Sequence, residues 1–260
     1  MAPAQTLFDL SGKVALVTGS SRGIGEATAK LLAEHGATVI VSSRKQEACE
    51  AVAAAIVDGG GRAEARACHA GDLDAMTHLV SSIVSHHGRL DILVNNAAAN
   101  PFFGNVLDTP LEAIDKTLQV NLRGYFVLSQ LAGRQMREQG GGCIVNIASI
   151  NGLRPGMHQA IYSITKAAVI NMTQAFAKEC AQFGIRCNAV LPGLTDTKFA
   201  SALTQNPQLL ESVLPQIPAG RYAEPEEIAP AVLYLCSPAA SYVNGTTLTV
   251  DGGFIGAGGL

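Results

Sequence analysis

The residues with the clearest chemical potential are a tyrosine and a lysine four positions apart, Tyr162 and Lys166. At this spacing both side chains lie on one face of a helix. A tyrosine has an ordinary pKa of about 10, so it exchanges protons near neutral pH only where its phenolate is stabilised. A nearby ammonium group provides that stabilisation. The pair predicts a tyrosine that acts as general acid or base, although an ordinary helix-surface pair has the same spacing.

Two further polar residues stand in informative positions. Ser149 follows the apolar run Cys143–Ile147, and Asn121 lies between Val120 and Leu122 in a helical segment. Ligands of open parallel sheets bind beyond the carboxyl ends of the strands. Ser149 is therefore predicted to point into a cleft and to hydrogen-bond a substrate oxygen, with a loop or cap serine as the alternative. Asn121 is predicted to bind water or backbone, with a surface helix asparagine as the alternative.

A glycine-rich turn, Thr18–Gly25, connects a predicted strand to a predicted helix. Glycines let the backbone approach a pyrophosphate, and the free N–H groups of the helix favour its negative charge. The G-x-x-x-G-x-G spacing differs from the more familiar G-x-G-x-x-G, and an ordinary turn is the alternative. The turn residues predicted to contact a dinucleotide are Gly19, Ser21, Arg22, Gly23, Ile24 and Gly25.

The end of the second predicted strand indicates which dinucleotide binds. An NAD site carries an acidic residue there for the ribose 2′-hydroxyl. Here the segment Val41–Lys45 contains no acid but offers Ser43 and Arg44, and Arg22 can reach the same place. Hydroxyl and guanidinium groups suit a 2′-phosphate. The sequence therefore predicts NADP(H), with solvated surface arginines as the alternative.

The elements that must position these residues alternate between short apolar runs and amphipathic segments. The predicted strands are Lys13–Thr18, Thr38–Val41, Glu64–His69, Leu90–Val94, Cys143–Ile147, Ile185–Leu191 and Thr246–Val250. The predicted helices are Ile24–His35, Gln46–Val57, Asp72–His87, a long helix within Leu111–Gln139, Ala160–Phe183 and Pro225–Cys236. Such alternation predicts one α/β domain over residues 1–260, doubly wound, with a seven-stranded parallel sheet flanked by helices. The irregular stretch Thr195–Ala223 is predicted to be a substrate loop.

Composition excludes several classes of protein. The 260 residues are 48% hydrophobic and 15% charged, as in a globular protein rather than a disordered one. A net charge of −3 argues against nucleic acid and acidic membrane surfaces as partners. We expect neither a signal peptide nor a spanning helix. The six cysteines show neither C-x-x-C nor zinc-finger spacing, so we expect reduced thiols, a cytoplasmic location and metal-free catalysis.

Taken together, the motifs resemble one family, the classical short-chain dehydrogenases/reductases. The resemblance runs from about Leu10 to Gly253 and rests on residues in the same order and spacing: Thr18–Gly25, Asn95–Ala97, Asn121, Ser149, Tyr162 with Lys166, and Pro192 with Gly193. It implies a Rossmann-type fold and hydride transfer between NAD(P)(H) and a carbonyl/alcohol pair. It also implies a homotetramer that pairs the two long helices, for which the apolar segment Val243–Leu260 offers a second interface.

The same resemblance implies a role for each matching residue. Tyr162 would be the general acid in reduction, and Ser149 would orient and polarise the carbonyl. Lys166 would bind the nicotinamide ribose and lower the pKa of Tyr162, and Asn121 would hold a water that links Lys166 to solvent. The other implied cofactor contacts are Asp72, Leu73, Asn95, Ala97, Pro192, Gly193, Leu194 and Thr197. Ala98 replaces the glycine usual in the family, which is expected to narrow that turn slightly.

The sequence has three alternative interpretations besides a carbonyl reductase or alcohol dehydrogenase. A 3-oxoacyl-[acyl-carrier-protein] reductase is similar throughout, but Phe183 stands where such enzymes usually carry a docking arginine. A non-catalytic NADP-binding sensor would be expected to lack part of the set Ser149, Tyr162 and Lys166. Sugar-nucleotide epimerases are longer chains with a differently spaced glycine turn.

The substrate itself is less well specified by the sequence. It is expected to contact residues 100–103, residues 150–160 and the loop 195–223. An apolar or aromatic ketone and ordinary packing are equally consistent with the apolar side chains there, Phe102, Phe103, Met157, Leu203 and Leu214. His158 is not expected to be catalytic, because Tyr162 already fills the acid role.

Overall fold

A parallel sheet forms the centre of the computed structural model, which describes residues 6–200 and 207–257. The strands are β1 (Val14–Thr18), β2 (Thr38–Ser42), β3 (Arg62–Ala65), β4 (Ile92–Asn95), β5 (Gly142–Ile147), β6 (Ile185–Pro192) and β7 (Thr247–Val250). They lie in the order β3-β2-β1-β4-β5-β6-β7, and every neighbouring pair is parallel. The predicted doubly wound fold is confirmed. The winding direction changes between β1 and β4, which opens a crevice at the carboxyl ends of these strands.

Helices cover both faces of the sheet. They are α1 (Gly23–Glu34), α2 (Gln46–Asp58), α3 (Leu73–His87), α4 (Leu111–Leu118), α5 (Tyr125–Glu138), α6 (Ala160–Cys180), α7 (Pro207–Val213) and α8 (Pro225–Cys236). Apolar residues of α1, α2 and α8 pack on one face, and those of α3, α5 and α6 pack on the other. Because both faces are covered, strands such as β1 are buried at every position. Within the described residues, no helix is long and apolar enough to cross a membrane.

Two strands differ from the prediction by two residues or more. The third was expected at Glu64–His69 but occupies Arg62–Ala65, where its residues pair with Thr38–Val41 of β2. The fourth was expected at Leu90–Val94 but begins at Ile92. Leu90 is bound instead by a side chain: its N–H donates to Oε1 of Gln139 at 3.1 Å.

The long helix predicted within Leu111–Gln139 is interrupted by a π-helical segment, Gln119–Gly124, between α4 and α5. A Cβ on Gly124 would collide with the carbonyl oxygen of Ala70, so only glycine permits this close approach. A π-helical turn re-aims the side chains along a helix and is frequent at functional sites. Here the segment contains Asn121, one of the predicted site residues.

The stretch Thr195–Ala223 is more ordered than the sequence predicts. Thr195 and Ala223, at the two ends of the loop, form an isolated parallel β-bridge. The two ends therefore lie next to each other. It contains α7 and a 3-10 turn, Leu214–Gln216. Pro207 is the first described residue of α7. Leu203 lies outside the described residues.

Candidate active site

The predicted proton-transfer residues meet beyond the carboxyl end of β5. Ser149 follows β5 and caps a short 3-10 turn, its Oγ accepting a hydrogen bond from the N–H of Asn151 at 3.1 Å. Tyr162 lies in the first turn of α6. The Ser149 hydroxyl is also close enough to Tyr162 to lower the pKa of the phenol. The two hydroxyl groups therefore stand side by side, as is needed to bind one carbonyl oxygen.

Lys166 lies one helical turn after Tyr162 and is fully buried. Its Nζ donates to the carbonyl oxygen of Ile147 at 2.6 Å. The same nitrogen is 5.5 Å from the ring centroid of Tyr162 and 5.1 Å from that of Tyr125. Tyr125 was not singled out in the sequence, where nothing distinguishes it from a core aromatic. The lysine is thus held at the base of the site by strand β5 and two aromatic rings.

Burial controls the ionisation of both groups. It raises the pKa of Tyr162 to about 12, with the nearby Ser149 hydroxyl acting in the opposite direction. It lowers the pKa of Lys166 to about 7. Tyr162 is therefore a phenol at neutral pH and is able to donate a proton. The lowering of the Tyr162 pKa expected from Lys166 does not dominate here, because desolvation of the phenolate is the larger effect.

Asn121 lies in the π-helical segment, is fully buried and hydrogen-bonds the backbone of Ala99. Its Oδ1 accepts from the N–H of Ala99 at 2.7 Å, and its Nδ2 donates to the carbonyl oxygen of Ala99 at 2.9 Å. Nδ2 also donates to Oγ1 of Thr165 at 3.2 Å, and Thr165 donates to the carbonyl oxygen of Tyr162 at 2.7 Å. The asparagine therefore connects the chain after β4 to the turn of α6 that carries Tyr162 and Lys166. Thr165 thus positions the turn of α6 that carries Tyr162, and nothing in the sequence singled it out.

The glycine turn has the backbone conformation that a phosphate site requires. Gly19 and Gly23 have φ values of +63° and +58°, in the region that favours glycine. A Cβ on Gly19 would lie 2.8 Å from the Cα of Ala97. The turn leads into the N-terminus of α1, where Arg22 is the N-cap and provides no side-chain cap. The first N–H groups of α1 are therefore left without the usual cap acceptor, as anion binding needs.

Asn96, rather than Asn95, supports this turn with its side chain. The Asn96 Nδ2 donates to the carbonyl oxygens of Thr18 at 2.9 Å and Gly19 at 3.1 Å. The Asn95 Nδ2 points into the core instead, where it donates to Ser129 and Asn146. The Asn95 side chain therefore does not face the glycine turn. The predicted contact of Asn95 with the cofactor can involve only its backbone. Adjacent positions of a strand point to opposite sides, and the sequence offered no means of choosing between the two asparagines.

The other predicted cofactor segments border the same crevice. Thr197 lies against the glycine turn: its Cγ2 would be 3.1 Å from a Cβ on Gly23. Gly193 is packed against Asp251, whose Cα would be 2.7 Å from an added Cβ. Asp72 is the N-cap of α3 and accepts from the N–H of Ala75 at 3.0 Å, which leaves its second carboxylate oxygen for a ligand. The remaining predicted contacts on these segments are Leu73, Ala97, Pro192 and Leu194.

The end of β2 presents cationic and hydroxyl groups. Arg44 and Arg22 are exposed, and within the described residues neither forms an ion pair with a carboxylate. The Ser43 hydroxyl is 3.1 Å from Sγ of Cys49. The glycine turn thus offers backbone N–H groups to an anion, and Arg22 and Arg44 offer guanidinium groups that have no carboxylate partner among the described residues.

Comparison with known proteins agrees with this geometry. The family model described as enoyl-(acyl carrier protein) reductase matches residues 19–255. Dehydrogenase/reductase SDR family member 4 from Homo sapiens is 39% identical over 244 residues, which are 94% of this chain and 88% of that protein. The protein of the same name from Oryctolagus cuniculus is 38% identical and covers 94% of each chain.

Solved structures of similar chains have the same fold. A gluconate 5-dehydrogenase from Burkholderia cenocepacia J2315, in complex with NADP and tartrate, has a TM-score of 0.93 at 32% identity and covers 97% of this chain and 98% of its own. A 7α-hydroxysteroid dehydrogenase complexed with NADH and 7-oxo glycochenodeoxycholic acid has a TM-score of 0.92 at 33% identity, with the same coverage. The chain therefore belongs to the classical short-chain dehydrogenase/reductase family of NAD(P)(H)-dependent oxidoreductases.

Proposed function

We propose that this chain interconverts a ketone or aldehyde and the corresponding alcohol by hydride transfer with NADP(H), and that Tyr162 is the general acid and base. The observation that carries the proposal is the meeting of Tyr162 with the Ser149 hydroxyl above the buried Lys166. The bound cofactor would supply or accept the hydride at its nicotinamide ring.

The two hydroxyl groups divide the work on the substrate oxygen. In reduction, negative charge grows on that oxygen, and a proton must reach it. Tyr162 donates the proton, and Ser149 donates a hydrogen bond that polarises the carbonyl. Both interactions strengthen towards the transition state, which is what lowers the barrier. In oxidation the same groups act in reverse, with the Tyr162 phenolate accepting the alcohol proton.

Lys166 and Asn121 support the proton donor. Lys166 would bind the nicotinamide ribose and return a proton towards Tyr162, which its pKa of about 7 permits at neutral pH. Asn121 would hold a water that connects Lys166 with solvent. Because the Nδ2 of Asn121 already binds Ala99 and Thr165, that water would have to donate to a second lone pair on its Oδ1.

NADP(H) is favoured over NAD(H) by the absence of an acid and the presence of Ser43 and Arg44 at the end of β2, and by Arg22 in the glycine turn. The Arg44→Ala variant is expected to bind NADPH about 10- to 100-fold more weakly, because it loses a charge-assisted hydrogen bond to the 2′-phosphate. Its affinity for NADH is expected to stay within about twofold of the wild type, since NADH has no such phosphate. Fluorescence titration with each nucleotide measures both values.

Lys45→Ala is the matched control, because Lys45 is the next residue and an equally exposed cation. It is expected to leave NADPH affinity nearly unchanged. Equal losses for NADPH and NADH in Arg44→Ala would contradict recognition of the 2′-phosphate by this residue.

The substrate is proposed to enter over Tyr162 from the loop side. The ring of Phe199 is 5.4 Å from that of Tyr162, and the ring of Phe103 is 5.4 Å from that of His158. Met157 is 80% exposed next to them. These apolar and aromatic groups support an apolar or aromatic ketone as the substrate class.

Assembly as a homotetramer is proposed through the faces of the long helices. Large apolar side chains are exposed there: Leu111 by 73%, Phe126 by 47% and Ile164 by 59%. Exposed apolar surface of this kind is typical of subunit interfaces. Light scattering should give four times the chain mass of 26.9 kDa, and a monomer would contradict the proposal.

A cytoplasmic location is proposed from the cysteines. All six carry free thiols, and Cys49, Cys143, Cys187 and Cys236 are buried. Free thiols persist in reducing compartments.

The experiment that tests the proposed function is turnover of NADPH with a panel of simple ketones, diketones, steroid ketones and acetoacetyl thioesters. Oxidation of NADPH with a ketone supports the proposal and identifies the substrate class. Turnover confined to the acetoacetyl thioesters would favour a 3-oxoacyl-[acyl-carrier-protein] reductase. Tight NADPH binding without turnover of any carbonyl would favour a binding protein.

A further inference from the structure

A cluster of two histidines and a glutamate lies away from the catalytic crevice. Glu64 is on the edge strand β3, and His86 and His87 form the last turn of α3. In a parallel β-α-β unit the helix runs antiparallel to the strands. The C-terminus of α3 therefore lies towards the amino ends of the strands, whereas Tyr162 lies beyond their carboxyl ends. The proposed oxidoreductase function makes no use of these three residues.

Their potential ligand atoms converge. The Nε2 of His87 is 3.1 Å and the Nε2 of His86 is 3.4 Å from the same carboxylate oxygen of Glu64, Oε1. The two imidazole rings meet edge to face with centroids 4.6 Å apart, and the ligand atoms all lie within 4.8 Å of one another. Tetrahedral zinc with bonds of 2.0–2.2 Å holds its ligand atoms roughly 3.4 Å apart. The two histidine–carboxylate separations are close to this value, and the two histidine ligand atoms lie within 4.8 Å of each other.

One of these atoms has no partner of its own. The Nε2 of His87 is buried and makes no hydrogen bond, although it is close to Glu64. The short distance is thus a contact without hydrogen-bond geometry. A buried polar atom in this state is unfavourable, and a metal ion would satisfy it. This is a second observation, independent of the clustering, that points to a ligand.

The surroundings orient the carboxylate for such an ion. The Nη2 of Arg66 donates to the other carboxylate oxygen, Oε2, at 2.8 Å, which leaves Oε1 facing the imidazoles. The C-terminus of α3 adds partial negative charge beside the histidines. The positive charge of Arg66 opposes a cation and limits its affinity.

We propose that Glu64, His86 and His87 form a binding site for Zn²⁺, with water as the fourth ligand. Two imidazole nitrogens and one carboxylate oxygen are a zinc ligand set, and they suit that ion better than Mg²⁺ or Ca²⁺, which prefer oxygen. The ion would connect the edge strand β3 to the end of α3 and stabilise that side of the domain. The site is separate from hydride transfer, and its test does not depend on turnover.

Isothermal titration of untagged, chelator-treated protein with Zn²⁺ tests the proposal. The wild type should bind one Zn²⁺ per chain with micromolar affinity, and its melting temperature should rise on addition of Zn²⁺. The His86→Gln and His87→Gln variants should each bind at least tenfold more weakly. His78→Gln is the matched control, because His78 is an exposed histidine on the same helix, and it should bind as the wild type does. Co²⁺ should give the visible absorption of a tetrahedral complex in the wild type. His86→Gln and His87→Gln should not show this absorption.

The outcomes separate the proposal from its competitors. Melting curves without metal show whether each variant is folded, so a loss of binding in a folded variant is a loss of ligand. No one-to-one binding by the wild type would overturn the proposal. Equal binding by His86→Gln, His87→Gln and the wild type would also overturn it. Binding that disappears only after thiol blocking would assign the ion to cysteines and would overturn it as well.

Discussion

The Tyr162→Phe variant is expected to lower kcat for carbonyl reduction by about 10²- to 10⁴-fold, the range that general acid catalysis contributes. The substitution removes one hydroxyl group from a buried side chain and leaves its ring against Phe199. Binding of NADPH is therefore expected to change by less than about threefold. Steady-state kinetics with the best ketone of the panel, together with a nucleotide titration, measure the two effects separately.

Tyr125→Phe is the matched control for this experiment. Tyr125 is also buried beside Lys166, but its hydroxyl donates to the carbonyl oxygen of Ile147 at 3.3 Å rather than facing Ser149. Its loss is expected to reduce kcat by less than about tenfold, since no proton transfer is removed. Similar losses in the two variants would mean that the tyrosines act through packing around Lys166, and Tyr162 would not be the proton donor.

The Lys166→Met variant is expected to lose activity and to gain stability. Activity should fall by about 10³-fold or more, because the ribose contact and the proton route to Tyr162 are both removed. Stability should rise, because burial lowers the pKa of Lys166 to about 7 and the native state therefore carries a desolvated amine. Each pKa unit corresponds to about 1.4 kcal/mol, so we expect the free energy of unfolding to increase by about 1–4 kcal/mol at pH 7. The carbonyl oxygen of Ile147 keeps a partner in Tyr125.

The pH dependence provides an independent check on the same residue. Between pH 7 and about 10 the unfolded chain holds a proton on Lys166 that the folded chain has released. The unfolded state then binds more protons, so the free energy of unfolding of the wild type should rise with pH through this window, relative to Lys166→Met. Below about pH 7 the destabilisation is fully present and the difference should level off. Urea unfolding of both proteins from pH 6 to 9.5 measures it, and parallel curves would contradict the assignment.

Much of the fold follows from patterns that depend on local sequence. Buried runs such as β1 are apolar at nearly every position, and helices such as α3 end at a glycine, here Gly88, which adopts φ +72°. These signals reproduce the number and direction of the strands. The predicted boundary of β3 was wrong because its extent is set by pairing with Thr38–Val41 of β2, which are distant in sequence.

The parts of the site that the sequence did not predict are contacts between distant segments. The π-helical turn at Gln119–Gly124 brings Gly124 against the Ala70 carbonyl, a contact that no local pattern predicts. Which of the two side chains, Asn95 or Asn96, supports the glycine turn depends on which side of β4 faces that turn. The proposed zinc ligands Glu64, His86 and His87 are brought together by the packing of α3 on the edge of the sheet. None of these relations has a periodic signature in the chain.

The most direct test of the central claim is transfer of deuterium from NADPH labelled at the reactive C4 position to a ketone, followed by mass spectrometry of the alcohol. The proposed function predicts one deuterium on the carbinol carbon per NADPH consumed, from one face of the nicotinamide only, and a rate that falls in Tyr162→Phe with the same label in the product. Alcohol without the label, or NADPH that is bound but yields no alcohol from any carbonyl compound tested, would contradict it.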